Sequence, residues 1–252
     1  ILKSGVLSAL SGAPRRVAYA PPFGREGAHL FATELARLSP RRQSRFDRNE
    51  ALVRYLGLEE AMEPRPLAVS PERLELARKA LGPGPAPVAI HPGTSDATAH
   101  KRWTADGYGA LARALAESGT PSIVTCGPAR DDRAFADAVI AASRGAARAA
   151  PATASLLDLA AVFQASRLYV GGDTGPLHVA SLVGPPVLQL MGPTVPIENQ
   201  PFGETPSRTL RVQIGCNPCR RGCAAAACMR AIHPDAVVEA ARGLLATQGG
   251  LR

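Results

Sequence analysis

Two stretches carry side chains whose types and spacing suit the binding of a phosphorylated ligand. In Gly171-Gly172-Asp173-Thr174-Gly175-Pro176-Leu177-His178 a glycine turn precedes an apolar run, Val179 to Val183. Pro176 fits the first turn of a helix, where its missing N–H costs nothing, and Thr174 or Gly175 can cap it. Such a helix start turns free N–H groups and a partial positive charge toward an anion. Asp173 can accept sugar hydroxyls, and the imidazole of His178 can donate to a phosphate or a sugar. The same eight residues also read as a tight turn with a capping carboxylate. The second stretch runs from His91-Pro92-Gly93-Thr94-Ser95 to Lys101-Arg102-Trp103. Small hydroxyls on a glycine turn, followed by the point charge of Lys101, suit a phosphate. Taken alone, Lys101 reads equally as a surface lysine.

A third cluster, Cys216, Cys219, Cys223 and Cys228, has the spacing C-x2-C-x3-C-x4-C. Four thiolates can close a tetrahedral metal site. All four nevertheless lie in one short loop without a second pair at zinc-ribbon distance. A structural role is the expectation, with bound zinc as an interaction element and redox chemistry as its alternatives, and no metal or cofactor is assigned.

The elements that must position these residues follow from the apolar pattern. From residue 71 onward, short apolar runs alternate with helical ones: strands at 88–91, 122–126, 167–170, 187–191 and 210–214, and helices at 71–81, 104–118, 130–143, 153–165, 176–183 and 234–246. This alternation predicts an α/β fold with a parallel sheet covered on both faces, Rossmann-like in kind. Ligands in such sheets sit beyond the carboxyl ends of the strands. Those ends carry His91 to Ser95, Cys126-Gly127-Pro128, Gly171 to Gly175 and Met191-Gly192-Pro193-Thr194. Neither Gly-x-Gly-x-x-Gly nor Gly-x-x-x-x-Gly-Lys-Ser/Thr occurs, which disfavours nicotinamide enzymes and P-loop nucleotidases. Before residue 71 the pattern is helix, strand (16–19), helix (26–38) and helix (45–56), too few strands for a whole sheet. Pro64, Pro66 and Pro71 mark a linker, so 1–70 and 71–252 are taken as separate domains.

Among the 252 residues, 46% are hydrophobic, and no run approaches the ~18 needed to cross a bilayer. A cytoplasmic protein is expected. The net charge of +8 suits an acidic substrate. Arg41, Arg45 and Arg48 would share a face if 41–56 is helical, which equally describes a solvated helix. Aromatics at 4% offer no stacking platform, so nucleic acid is not an expected partner. The chain opens at Ile1 within an amphipathic stretch, and a preceding segment is expected to be missing.

The order of Lys101, Gly172-Asp173-Thr174-Gly175-Pro176-Leu177-His178, Gly192-Pro193-Thr194 and Pro201-Phe202-Gly203 resembles the heptosyltransferases of glycosyltransferase family 9. The opening Leu2-Lys3-Ser4, Arg25-Glu26 and Asp47-Arg48-Asn49 resemble the later part of that family's N-terminal domain. The resemblance implies the GT-B architecture: two Rossmann-like domains, here an incomplete N-terminal acceptor domain and a complete C-terminal nucleotide-sugar-binding domain. It implies an inverting, metal-independent enzyme that transfers heptose from an ADP-heptose donor to an anionic lipid A-core acceptor. Such an enzyme would work peripherally at the inner face of the cytoplasmic membrane. By the same resemblance, Lys101 meets the diphosphate and donor sugar, supported by Thr94 and Ser95. Asp173 takes the heptose hydroxyls, Thr174 and Gly175 hold the diphosphate with His178 nearby, and Asp131 lies near the adenosine. Arg25 and Arg48 face the acceptor. Ser44 stands where the family often has His, and Val195 where an Asp commonly follows Gly-Pro-Thr. The family's general base, an Asp in a glycine-containing loop near the N-terminus, has no counterpart in this sequence. A non-catalytic nucleotide-sugar-binding module, or a member using another sugar or acceptor, is the competing reading.

Overall fold

The computed structural model describes residues 2–24, 26–39, 43–58, 66–203, 205–219 and 222–249. Arg25, Arg41 and Pro64 fall outside them. The chain divides into two compact units, Ile1–Pro64 and Arg65–Arg252.

The first unit holds α1 (Leu2–Leu10), β1 (Val17–Tyr19), a 3-10 turn (Ala28–Phe31), β2 (Glu34–Ala36) and α2 (Arg45–Tyr55). β1 and β2 pair in parallel, Val17 opposite Glu34. The helix expected over 26–38 does not form. Gly27 adopts a left-handed φ of 70°, and Thr33 and Glu34 give their N–H groups to the carbonyl of Arg16. The backbone is thereby drawn into the ladder with β1 instead of bonding along itself. α2 begins at Ser44, whose hydroxyl accepts from the Asp47 N–H while the Asp47 carboxylate accepts from the Ser44 N–H. This capping box gives Ser44 a structural task.

The second unit is built on six parallel strands in the order β5-β4-β3-β6-β7-β8. These are β3 (Val88–His91), β4 (Ser122–Val124), β5 (Ala147–Ala149), β6 (Leu168–Gly172), β7 (Val187–Leu190) and β8 (Ser207–Leu210). The order reverses between β3 and β6, a topological switch point of the doubly wound type. The intervening helices are α4 (Ala105–Ala116), α5 (Arg130–Ala142), α6 (Leu156–Gln164) and α7 (Gly175–Ser181), with α3 (Pro71–Leu81), α8 (Ala227–Arg230) and α9 (Pro234–Gly249) completing the layers.

Strand residues alternate between two cores. Val88, Ile90, Val170, Leu188 and Leu190 pack on Tyr108, Leu111, Val139 and Val237 of α4, α5 and α9. Ala89, Ile123, Tyr169 and Val187 pack on Phe163 and Leu177 of α6 and α7. Burial of the Val, Ile, Leu and Phe side chains among them stabilises the fold by about 1.5–3 kcal/mol each before entropy is counted. Two strand expectations need correction. β5 is absent from the pattern because Ala147-Arg148-Ala149 has no β-branched or aromatic residue. It becomes a strand by pairing with β4, Ser122 opposite Ala147. The last strand is 207–210 rather than 210–214, because Val212 and Ile214 bond the side chain of Asn217.

Candidate functional site

The loops after β3 and β6 meet at the switch point. Lys101, at the end of a 3-10 segment (Asp96–Lys101), donates from Nζ to Asp173 Oδ2 at 2.9 Å. The pair is largely withdrawn from water, the Asp173 side chain being 8% exposed and that of Lys101 20%. At that depth an ion pair is only weakly screened. Asp173 follows Gly172, the last residue of β6. Gly171 before it must be small: a Cβ there would lie 2.5 Å from Tyr169 Oη and 2.9 Å from the His91 carbonyl. α7 starts at Gly175 with Thr174 as its N-cap, and the Thr174 side chain makes no capping bond. The first N–H groups of α7 are thus left to other acceptors. His178 lies half-buried on this helix.

Thr94 and Ser95 divide their tasks. Thr94 is buried, and its hydroxyl donates within the loop to the carbonyls of Thr98 and Ser95 at 3.1 and 3.2 Å. Ser95 is exposed, with its Oγ 2.9 Å from Thr98 Oγ1. Below them His91 is enclosed, its Nδ1 2.9 Å from Thr125 Oγ1, and burial pushes its pKa down to about 4. The imidazole is therefore neutral near pH 7.

Asp131 is exposed in the first turn of α5, whereas its neighbour Asp132 reaches inward. A Cβ on Gly127 would stand 2.5 Å from Asp132 Oδ2, and one on Gly93 3.0 Å from Oδ1. The two loops converge on this carboxylate. Asp132 accepts from Arg102 Nη2 at 3.1 Å. Neither Arg102 nor Asp132 belongs to the sites expected from the sequence. The glycines after β3 and β4 were the available signal, since a carboxylate fills the space their missing side chains leave.

Trp103 is buried beneath the loop, donating from Nε1 to the Ile232 carbonyl at 3.0 Å and meeting Tyr108 edge to face. The cysteine loop braces the β7 loop. Asn217 Nδ2 donates to the Gly192 carbonyl and the Cys219 N–H to that of Pro193. Cys228 is buried, and burial raises its thiol pKa. All five cysteines are free thiols. Among the described residues no three His, Cys, Asp or Glu side chains converge as metal ligands. In the first unit, the Arg48 guanidinium lies 5.6 Å above the Phe23 ring.

The family model for glycosyltransferase family 9 (heptosyltransferase) matches residues 1–229. The chain belongs to glycosyltransferase family 9. Lipopolysaccharide heptosyltransferase 3 of Escherichia coli K12 is 31% identical over 109 residues, 41% of this chain and 30% of that protein. Lipopolysaccharide core heptosyltransferase OpsX of Haemophilus influenzae is 24% identical over 200 residues, 79% of this chain and 57% of that protein. The chain thus covers less than two thirds of either relative. The structure of E. coli ADP-heptose lipopolysaccharide heptosyltransferase II superimposes with a TM-score of 0.73 at 21% identity, over 99% of this chain and 75% of that one. That likeness bears out the α/β, GT-B fold class expected of a family 9 chain.

Proposed function

We propose that this family 9 chain transfers heptose from ADP-heptose to an anionic lipopolysaccharide inner-core acceptor of the lipid A-Kdo type, with inversion and without a metal. The observation that carries this reading is the shielded Lys101–Asp173 contact at the switch point, where a doubly wound sheet places its ligand. Transfer breaks the bond between the sugar's anomeric carbon and the diphosphate, and forms one to the acceptor oxygen on the opposite face. Charge then develops on the departing diphosphate. Lys101 Nζ, the free N–H groups at the start of α7 and the exposed hydroxyl of Ser95 are the groups offered to it. Asp173 keeps Lys101 in place and accepts hydroxyls of the sugar. Thr174, Gly175 and His178 complete the diphosphate side, and Asp131 stands toward the nucleoside. Transfer also requires a general base to take the proton of the acceptor hydroxyl, a role that none of the residues assigned here fills, and Arg25 and Arg48 are assigned to the acidic substrate.

Relatives named for ADP-heptose and lipopolysaccharide core transfer support this choice of donor and acceptor. Among the described residues no helix is long and apolar enough to cross a membrane. A cytoplasmic enzyme peripheral to the inner leaflet fits an anionic lipid acceptor.

The test is transfer of labelled heptose from ADP-heptose to a Kdo–lipid A acceptor. Lys101→Ala and Asp173→Ala should each lower turnover about 100-fold or more, the scale of removing a group that stabilises transition-state charge. Unchanged turnover in both would refute the site.

A further inference from the structure

We propose that Arg102, held by Asp132, is the positioning residue that sets Lys101 at the donor's diphosphate, a role that rests on the donor-site reading above. The segment Thr94–Arg102 is a closed strap whose end is fastened to its beginning. Arg102 donates from Nη2 to the Thr94 carbonyl at 2.5 Å and from Nε to Thr94 Oγ1 at 3.1 Å. Inside the strap, the Thr98 N–H donates to the Ser95 carbonyl at 2.8 Å, and the Arg102 N–H to that of Ala99 at 3.0 Å. These bonds make the strap one body.

That body is moored on two sides of β3. Toward β4, Arg102 Nη2 reaches Asp132 Oδ1 at 3.1 Å, and its guanidinium lies 5.4 Å from the Phe135 ring of α5. Toward β6, the adjacent Lys101 reaches Asp173. Arg102 and Asp132 are 15% and 13% exposed, so the mooring is shielded. The side chain of Arg102 is spent on Thr94, Asp132, Phe135 and, at 3.4 Å, the exposed Asp96 carboxylate, and acts on the donor through the backbone it shares with Lys101. The planar fork spreads these bonds over two nitrogens, Nε to Thr94 Oγ1 and Nη2 to the Thr94 carbonyl and Asp132, a spacing that the single nitrogen of an ammonium does not reproduce.

The same mooring explains Gly93 and Gly127. Each leaves the room that the Asp132 carboxylate occupies, and Gly127 leaves the less of it, with 2.5 Å to a Cβ.

Calorimetric titration of the whole chain with ADP, paired with a thermal melt of each variant, tests the proposal. Arg102→Ala should stay folded and bind ADP about 10- to 100-fold more weakly, the cost of a misplaced binding group. Arg102→Lys should fall between it and wild type. Arg102→Ala combined with Lys101→Ala should bind no more weakly than Lys101→Ala alone, within about twofold, because the first acts only through the second. A merely structural role would not produce that non-additivity. An Arg102→Ala affinity within twofold of wild type, or losses that multiply in the double variant, would overturn the proposal. If Arg102→Ala does not fold, Asp132→Asn carries the same expectation and the same refutation. Absence of ADP binding by the folded wild-type chain would instead overturn the donor-site reading itself.

Discussion

Replacing Lys101 by Met keeps the aliphatic stem and deletes the charge, leaving the Asp173 carboxylate alone at 8% exposure. Breaking a buried pair from one side costs about 3–5 kcal/mol. Lys101 is 20% exposed, so water reaching the vacated space trims the cost to about 2–3 kcal/mol. Asp173→Asn is milder, about 1 kcal/mol, because the long lysine stem can carry its ammonium into solvent. In the double variant no charge is stranded, so its cost is again about 1 kcal/mol and the coupling is about 2–3 kcal/mol. For a unit of this size 1 kcal/mol shifts Tm by about 2–4 °C, so Lys101→Met should lower it by about 4–12 °C and the double variant by about 2–4 °C. Thermal melts of the ligand-free protein near pH 7 read all four species of the cycle. Additive losses within about 0.5 kcal/mol would show that the two side chains do not form a shielded pair.

Two further expectations concern the frame around the site. His91 has a folded pKa of about 4, against the ordinary 6.5 of a histidine open to water. The unfolded chain therefore binds more protons between those values, and stability present above pH 6.5 is lost as the pH falls toward 4, by about 3 kcal/mol in all. Wild type minus His91→Asn, followed by denaturant melts from pH 7 to 4, should show this slope, and parallel profiles would contradict it. Gly109→Ala would set a Cβ 2.6 Å from the backbone of Ala142, where α4 and α5 meet. Separating the helices should cost about 1–3 kcal/mol by urea titration despite the better helix propensity of Ala. Unchanged stability would refute the close approach.

The sequence made the buried parts of the second unit readable because Val88 to Ile90 and Leu168 to Val170 are apolar on both faces, as central parallel strands must be. Edge and short elements were hidden. Ala147-Arg148-Ala149 and Glu34-Leu35-Ala36 lack strand character and owe it to their ladder partners. Lys101 and Asp173 could be placed at one strand edge from loop chemistry and family resemblance. Their contact depends on β3 and β6 being neighbours, which the alternation of strands and helices does not specify. The Arg102–Asp132 mooring was harder still. Choosing between Asp131 and Asp132 requires knowing which side of the first turn of α5 faces Gly93 and Gly127. Ser44 shows the reverse case, a departure from the family pattern that the capping box of α2 explains locally.

The proposed function requires the second unit to recognise an adenosine diphosphate sugar at Lys101 and Asp173. The most direct measurement is titration of the wild-type chain with ADP-heptose, ADP, GDP and UDP under one buffer condition. Both adenine ligands should bind at least about tenfold more tightly than GDP or UDP, a difference of about 1.4 kcal/mol, and Lys101→Ala should weaken them. A folded chain that binds none of the four, or binds all of them alike, would contradict the proposed function.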